Sequence, residues 1–317
     1  MRRIHPAMNF ILRKPLFLLS MVLLLAGPLA AQKTPQKDLL DSGILKAKLG
    51  DLKAALRDLD HAVMMDTTVP EPYYNRGLVR SQLKDYTGAI RDFTKVMSMK
   101  PMLAESYYNR GLARDYLRDF MGAIRDYDKA VLLKANYFEA YHNMGLAKYD
   151  LGDYQDAIQD FSRALQYKPD FAEAFYNRGL SRMNVHDLSG AIQDFNEAIK
   201  LDTMQYEFYS SRGAAKASQE SFGDAVRDFS IAKSINPSDT NARMNLALAL
   251  MYLKRYPEAV SEYDQVLDIN PENEEALANR GVAKHYLADQ PGACEDWKQA
   301  SSKGSEKAKG YLLKFCQ

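Results

Sequence analysis

The chain has 317 residues but only two cysteines and one tryptophan, and its formal charge is nearly balanced at +1. Each scarcity excludes something. Two thiols cannot build a disulfide framework or a four-thiolate zinc site. A near-neutral chain lacks the basic surface that holds nucleic acid. The five histidines, His5, His61, His142, His186 and His285, are scattered without metal-ligand spacing or a paired nucleophile. No strand pattern leads into a glycine-rich phosphate loop. The residues therefore point to no catalytic group, no metal site and no cofactor.

Long apolar runs are also missing. The longest, "LFLLSMVLLLAG" at 16–27, falls short of the roughly 20 residues a spanning helix needs. Arg2, Arg3, Arg13 and Lys14 precede it with no acid among them, and the small residues Ala30 and Ala31 follow before Gln32. Basic, apolar, then small is the order of a secretory signal peptide over residues 1–31, with cleavage near Ala31. An uncleaved anchor is the alternative reading, and Met8 is an alternative start. Removing the four basic residues turns the charge of +1 into −3. The expectation is an exported protein, periplasmic or extracellular, with no membrane insertion after cleavage.

What the chain has in abundance is repetition. "YYNRGL" stands at 73–78 and again at 107–112, and "FYNRGL" at 175–180. These starts are separated by 34 residues and by twice 34, a period typical of stacked helical repeats. A gap-free frame from Gln36 puts Gly43, Gly77, Gly111, Gly145, Gly179, Gly213, Ala247 and Gly281 at the eighth position of each unit. Alanine occupies the twentieth throughout, from Ala55 to Ala293. Apolar residues recur at three- and four-residue steps in both halves of each unit, which reads as two helices. Asp51, Asp85, Asp119, Asp153, Asp187, Ser221 and Asp289 at position sixteen suit N-caps of the second helix. Arg255 departs from this, with Pro257 in the following first turn. Breakers such as Pro101, Pro169, Pro237 and Pro271 close the second helices. The eighth and twentieth residues let two backbones approach, and Phe93, Tyr127, Phe161, Phe195, Phe229, Tyr263 and Trp297 at position twenty-four fill the space beside them.

This pattern resembles the tetratricopeptide repeat, in an exported bacterial form, over essentially the whole chain beyond residue 35. The resemblance implies an all-α, right-handed superhelical solenoid of eight helix-turn-helix units. Their expected bounds are 36–69, 70–103, 104–137, 138–171, 172–205, 206–239, 240–273 and 274–307, after a short linker at 32–35. A last amphipathic helix at 305–317 would cover the end of the stack. Val96 and Val266 replace the family's alanine at position twenty-seven, and position eleven is basic rather than tyrosine.

Three rows of residues invite a functional reading. Arg76, Arg110, Arg178, Arg212 and Arg280 at position seven face an acid at position twenty-three, which is Asp except for Glu262. This reads as a structural ion-pair ladder. Glu71, Glu105, Glu139, Glu173, Glu207 and Glu275 at position two suit the positive end of a helix dipole. Asn75, Asn109, Asn143, Asn177, Asn245 and Asn279 at position six resemble the asparagine ladder with which some family members hold a peptide backbone. Tyr74, Tyr108, His142 and Tyr176 lie beside them. The alternative is that asparagine is simply common there. The lysine and asparagine of the family's carboxylate clamp are absent from positions five and nine.

The expected function is a non-catalytic scaffold that binds a protein or extended peptide along its concave groove. Two rivals stand beside it, a self-assembling structural subunit of the envelope and a glycan-binding or enzyme accessory module. The two cysteines, Cys294 and Cys316, lie about ten and twelve residues from a turn near Gly304. That places them at similar heights on antiparallel helices, and a disulfide is expected between them.

Overall fold

The computed structural model describes residues 34–316, so the signal-peptide reading of residues 1–31 lies outside the described residues. Among those described, every regular element is an α-helix, and none is long and apolar enough to cross a membrane. They divide into two compact units between Pro169 and Asp170.

The first unit holds four helix pairs. These are α1 (Pro35–Lys48) with α2 (Leu52–Met65), α3 (Pro70–Gln82) with α4 (Tyr86–Met99), α5 (Ala104–Tyr116) with α6 (Phe120–Leu133), and α7 (Phe138–Leu151) with α8 (Tyr154–Tyr167). The second unit holds α9 (Ala172–Asn184) with α10 (Leu188–Leu201), α11 (Tyr206–Ser218) with α12 (Phe222–Ile235), α13 (Thr240–Tyr252) with α14 (Tyr256–Ile269), and α15 (Glu274–Tyr286) with α16 (Gln290–Ser302). A final α17 (Glu306–Phe315) lies against α16. Each pair also packs on the next in its unit. This is a helical solenoid.

The small residue at position eight has the physical cause its spacing suggests. A Cβ on Gly77, Gly111 or Gly145 would stand 2.9, 2.7 or 2.8 Å from the ring of Phe93, Tyr127 or Phe161. Those three rings are fully buried, and so are Ala89, Ala123 and Ala157. The phenyl rings thus lie directly on bare backbone, and no single pair could bury them alone.

Between the two helices of a pair the chain turns through a left-handed residue. Gly50 and Gly152 supply it in two pairs, but Lys84, Arg118, His186, Glu220, Lys254 and Ala288 hold φ of 60–64° without glycine's freedom. The following N-cap works where the sequence suggests it in Asp51, Asp85, Asp119, Asp187 and Asp289, each accepting from the backbone N–H three residues on. Asp153 and Ser221 occupy the cap position without making that bond, which corrects the expectation. For each of them the residue that would donate is acidic, Asp156 or Asp224, where the bonded caps meet glycine or alanine. Arg255 instead chelates Glu258, with Nε–Oε1 at 2.6 Å and Nη2–Oε2 at 2.5 Å.

Cys294 and Cys316 are joined as a disulfide, with Cα atoms 5.8 Å apart. Cys294 begins the second turn of α16 and Cys316 caps the end of α17, so the bond fastens the last helix to the stack. Gln290 adds a second tie, its Nε2 donating to the Phe315 carbonyl at 2.6 Å.

Candidate functional site

The ion-pair row is built into the core. Arg110 grips Asp126 with two parallel bonds, Nε to Oδ2 at 2.9 Å and Nη2 to Oδ1 at 2.6 Å, and Arg114 adds a third at 2.8 Å. The same fork joins Arg76 to Asp92, Arg178 to Asp194, Arg212 to Asp228 and Arg280 to Asp296. The remaining guanidinium nitrogen reaches back to the preceding pair. Arg76 Nη1 donates to Asp60, Arg110 to Thr94, Arg212 to Asn196 and Arg280 to Asp264. One arginine therefore ties three helices together. Where Leu246 and Leu250 replace both basic residues, Glu262 receives Arg243 at 3.3 Å and Lys233 at 2.6 Å. The extra methylene of Glu262 matches this change of partner.

Met144 occupies the position of the arginine in the fourth pair, and Asp160 keeps only Lys148, at 2.7 Å. Burial pushes the Asp160 carboxyl up from 3.8 to about 6; Lys148 opposes the rise, while Asp128 and Asp156 add to it. A carboxyl with a raised folded value holds its proton more tightly in the folded state. Its contribution to stability is therefore full below about pH 4 and is lost as pH rises through about 6, an effect on the order of 3 kcal/mol. Relative to an Asp160→Asn variant, the wild-type melting temperature should climb as pH falls from 7 to 4.5. A difference between the two that stays flat across this window contradicts the assignment.

The asparagine row is partly consumed by the fold. Asn109 Nδ2 donates to the Tyr74 hydroxyl at 3.0 Å, and Asn143 Nδ2 to the Tyr108 hydroxyl at 2.9 Å. Each bond joins one helix pair to the one before it. Asn75 turns back to the Glu71 carbonyl, and Asn177 is only 1% exposed. Asn245 is buried, and Asn279 accepts from Lys307 at 2.9 Å. Tyr74, Tyr108, His142 and Tyr176 are buried as well. Their rings meet Phe93, Tyr127, Phe161 and Phe195 at 5.5–6.0 Å between centroids. These four side chains therefore pack in the core rather than stand open beside the asparagines. The packing also means that replacing Asn109 and Asn143 by alanine strips buried hydroxyls of their partners, at about 1–3 kcal/mol each. The glutamate row is likewise engaged, with Glu71 held by Lys100 at 2.5 Å and Glu105 by Lys134 at 3.4 Å.

The open aromatic surface lies elsewhere, at positions thirteen and seventeen. Tyr86 stacks on Tyr116 at 4.8 Å, Phe222 on Tyr252 at 4.3 Å and Tyr256 on Tyr286 at 4.8 Å. The thirty-residue spacing of these pairs was the available sequence signal. In the second unit Tyr252, Tyr256 and Tyr286 border a cavity of about 580 Å³ lined mainly by α13, α15 and α17, with Tyr263 of α14 and Trp297 of α16. Met251, Tyr252, Tyr286, Trp297, Tyr311 and Phe315 give it an apolar wall, and Glu275, Asn279, Lys254 and Lys307 give it polar edges. Trp297 packs on Tyr311 at 5.1 Å and on Phe315 at 5.8 Å, so α17 itself builds one side.

One buried group beside this cavity is Tyr263 of α14. Tyr263 is fully buried, and its hydroxyl finds no hydrogen-bond partner. Burial raises its pKa, and Glu275 adds to the rise. The same position holds Phe93, Phe161, Phe195 or Phe229 in other helix pairs and a second buried tyrosine, Tyr127, in the third, so packing does not require the hydroxyl. An unpaired buried hydroxyl costs about 1–3 kcal/mol.

A stack of short helix pairs with arginine staples, bare glycine contacts and an end helix defines a helical repeat protein. Residues 145–184 and 248–287 match the family description "TPR repeat", and residues 70–101 match "Tetratricopeptide repeat". Together with the gap-free period, these matches support the identification of tetratricopeptide repeats in this chain. No curated protein matches it in sequence. Among solved structures it is similar to YrrB, described as a TPR protein with an unusual peptide-binding site. That likeness has 20% identity over 59% of this chain and 97% of the other, with a TM-score of 0.54. It is also similar to the C-terminal part of a TPR repeat-containing protein from Cytophaga hutchinsonii, at 18% identity over 76% and 98% of the two chains, with a TM-score of 0.65. MamA matches at 24% identity over 51% and 94%, with a TM-score of 0.50. At these identities the likeness concerns the fold.

Proposed function

We propose that this chain is a non-catalytic scaffold that holds a protein or peptide partner against its first helices, in an exported compartment. The carrying observation is the cavity bounded by α13, α15 and α17, an aromatic recess of ligand size that the fold leaves unfilled. The description of YrrB as having a peptide-binding site supports the same class of ligand. Export is supported by the basic, apolar and small order of residues 1–31 and by the Cys294–Cys316 bond, since such bonds persist in oxidising compartments. The repeat frame from 36 to 307 is the proposed extent of the scaffold.

Chemical crosslinking in the native cells, followed by affinity capture, tests the binding reading. A heterologous protein crosslinked to α13, α15 or α17 is expected. Recovery of the chain crosslinked only to itself, together with an oligomer in light scattering, supports the self-assembling alternative instead. The intact mass of the native protein tests export. It should correspond to a chain beginning near Gln32, and a full-length mass contradicts the proposal.

A further inference from the structure

We propose that the outer face of α2, α4 and α6 docks on an anionic lipid membrane surface. The inference goes beyond the scaffold reading, because it uses second helices of the first unit and leaves the first helices to the partner.

The face carries a row of cations. Arg57, Arg91 and Arg125 recur every 34 residues at position twenty-two, and Lys95 and Lys129 stand one helical turn further on at position twenty-six. The three arginines and Lys95 are exposed, and Lys129 is half-buried. Among the described residues, none of these five side chains makes an ion pair, whereas the arginines at position seven are consumed by the ladder. Of the acids at the neighbouring position twenty-five, Asp60 is tied to Arg76 and Arg80, and Asp128 alone offsets the row. Neighbouring pairs lie about 10 Å apart, so the charge is spread along the face rather than gathered at one point.

The repeat does not need these charges. At position twenty-two the second unit has Gln193, Arg227, Ser261 and Glu295, with Arg227 paired to Asp224, and at position twenty-six it has no cation. The fold accepts neutral or acidic residues at these places, so the row belongs to the first unit and not to the repeat pattern. Like charges in a row repel one another, and an anionic surface relieves that repulsion.

The same helices show which anionic surface fits. Met64, Met121 and Leu132 are each more than half exposed. Met121 lies one turn before Arg125 and Leu132 three residues after Lys129, so apolar tips stand among the cations. A phosphodiester backbone gains nothing from leucine or methionine. Positions eighteen, twenty-two, twenty-six and twenty-nine of α2, α4 and α6 hold no Phe, Tyr or Trp on which a base could stack. A lipid interface takes both kinds of group, the apolar tips at the acyl boundary and the Lys and Arg heads among the phosphates.

The test floats the native protein with vesicles of phosphatidylcholine, alone or with about 30% phosphatidylglycerol, at low and high salt. The anionic vesicles should bind it about thirtyfold more tightly or better, and high salt should abolish the difference. Arg57→Gln, Arg91→Gln and Arg125→Gln together should weaken that binding about a hundredfold, with the melting temperature unchanged because these side chains are exposed. Arg227→Gln, Lys298→Gln and Lys309→Gln remove the same charge from the second unit and should weaken it less than about threefold. Equal losses in the two triple variants show an effect of net charge and overturn the proposal. So does salt-insensitive flotation with neutral vesicles, or tighter binding to a short DNA duplex or to poly-glutamate than to the anionic vesicles. Any of these results leaves the scaffold reading standing, since crosslinking of a partner to α13, α15 or α17 does not involve this face.

Discussion

Asp126→Ala should destabilise the first unit by about 3–5 kcal/mol, the cost of breaking a buried ion pair by removing one partner. Asp126 is 3% exposed and accepts three charged hydrogen bonds, two from Arg110 and one from Arg114. Alanine leaves two guanidinium groups facing a void between α5 and α6. Because Arg110 also reaches Thr94 on α4, the loss should spread to the neighbouring pair. Asp126→Asn keeps the shape and part of the hydrogen bonding, so its loss should be smaller. Urea unfolding followed by circular dichroism measures both variants. A loss under about 1 kcal/mol for the alanine variant would show that the ladder is peripheral.

The second large effect concerns the end of the stack. Replacing Cys294 and Cys316 together by serine should cost about 3 kcal/mol on the chain-entropy account of a bond closing 22 residues of separation. The loss should be centred on α17, which packs mainly on α16 and touches α15 through Phe315 on His285 and Lys307 on Asn279. Hydrogen exchange should quicken in α17 while α1–α8 remain as before. Thiol titration of the denatured, unreduced native protein should find no free thiol. Two free thiols, or a double-serine variant as stable as the wild type, contradict a structural disulfide. Since Tyr311 and Phe315 wall the cavity, the same variant should also weaken any ligand held there.

Most of the fold was legible because the 34-residue period imposes the same contact at each recurrence. A glycine that meets a ring 16 residues later does so in pair after pair, as Gly77 meets Phe93 and Gly179 meets Phe195. The ladder was legible for the same reason, down to the exchange of Asp for Glu262 where Leu246 and Leu250 replace both basic residues. What the period concealed was direction. Position five and position six are adjacent on one helix, and spacing alone does not say that Tyr108 turns into the core to meet Asn143 of the next pair. A tyrosine row beside an asparagine row looks the same in sequence whether it meets a ligand or a neighbouring helix. The cavity was harder still to foresee. It depends on departures from the repeat, namely Tyr263 where phenylalanine is commoner, and Lys307, Tyr311 and Phe315 on a helix outside the period. Recurrence identifies the scaffold, and these irregularities mark the candidate site.

The most direct test of the account is hydrogen–deuterium exchange of the full chain, alone and with its crosslink-identified partner bound. Protection is expected in α13, α15 and α17, with the strongest change around Tyr252, Asn279 and Tyr311. Protection confined to the second helices, or absent from the α13–α17 region, would contradict the claim that this protein binds its partner through the aromatic cavity at the end of the stack.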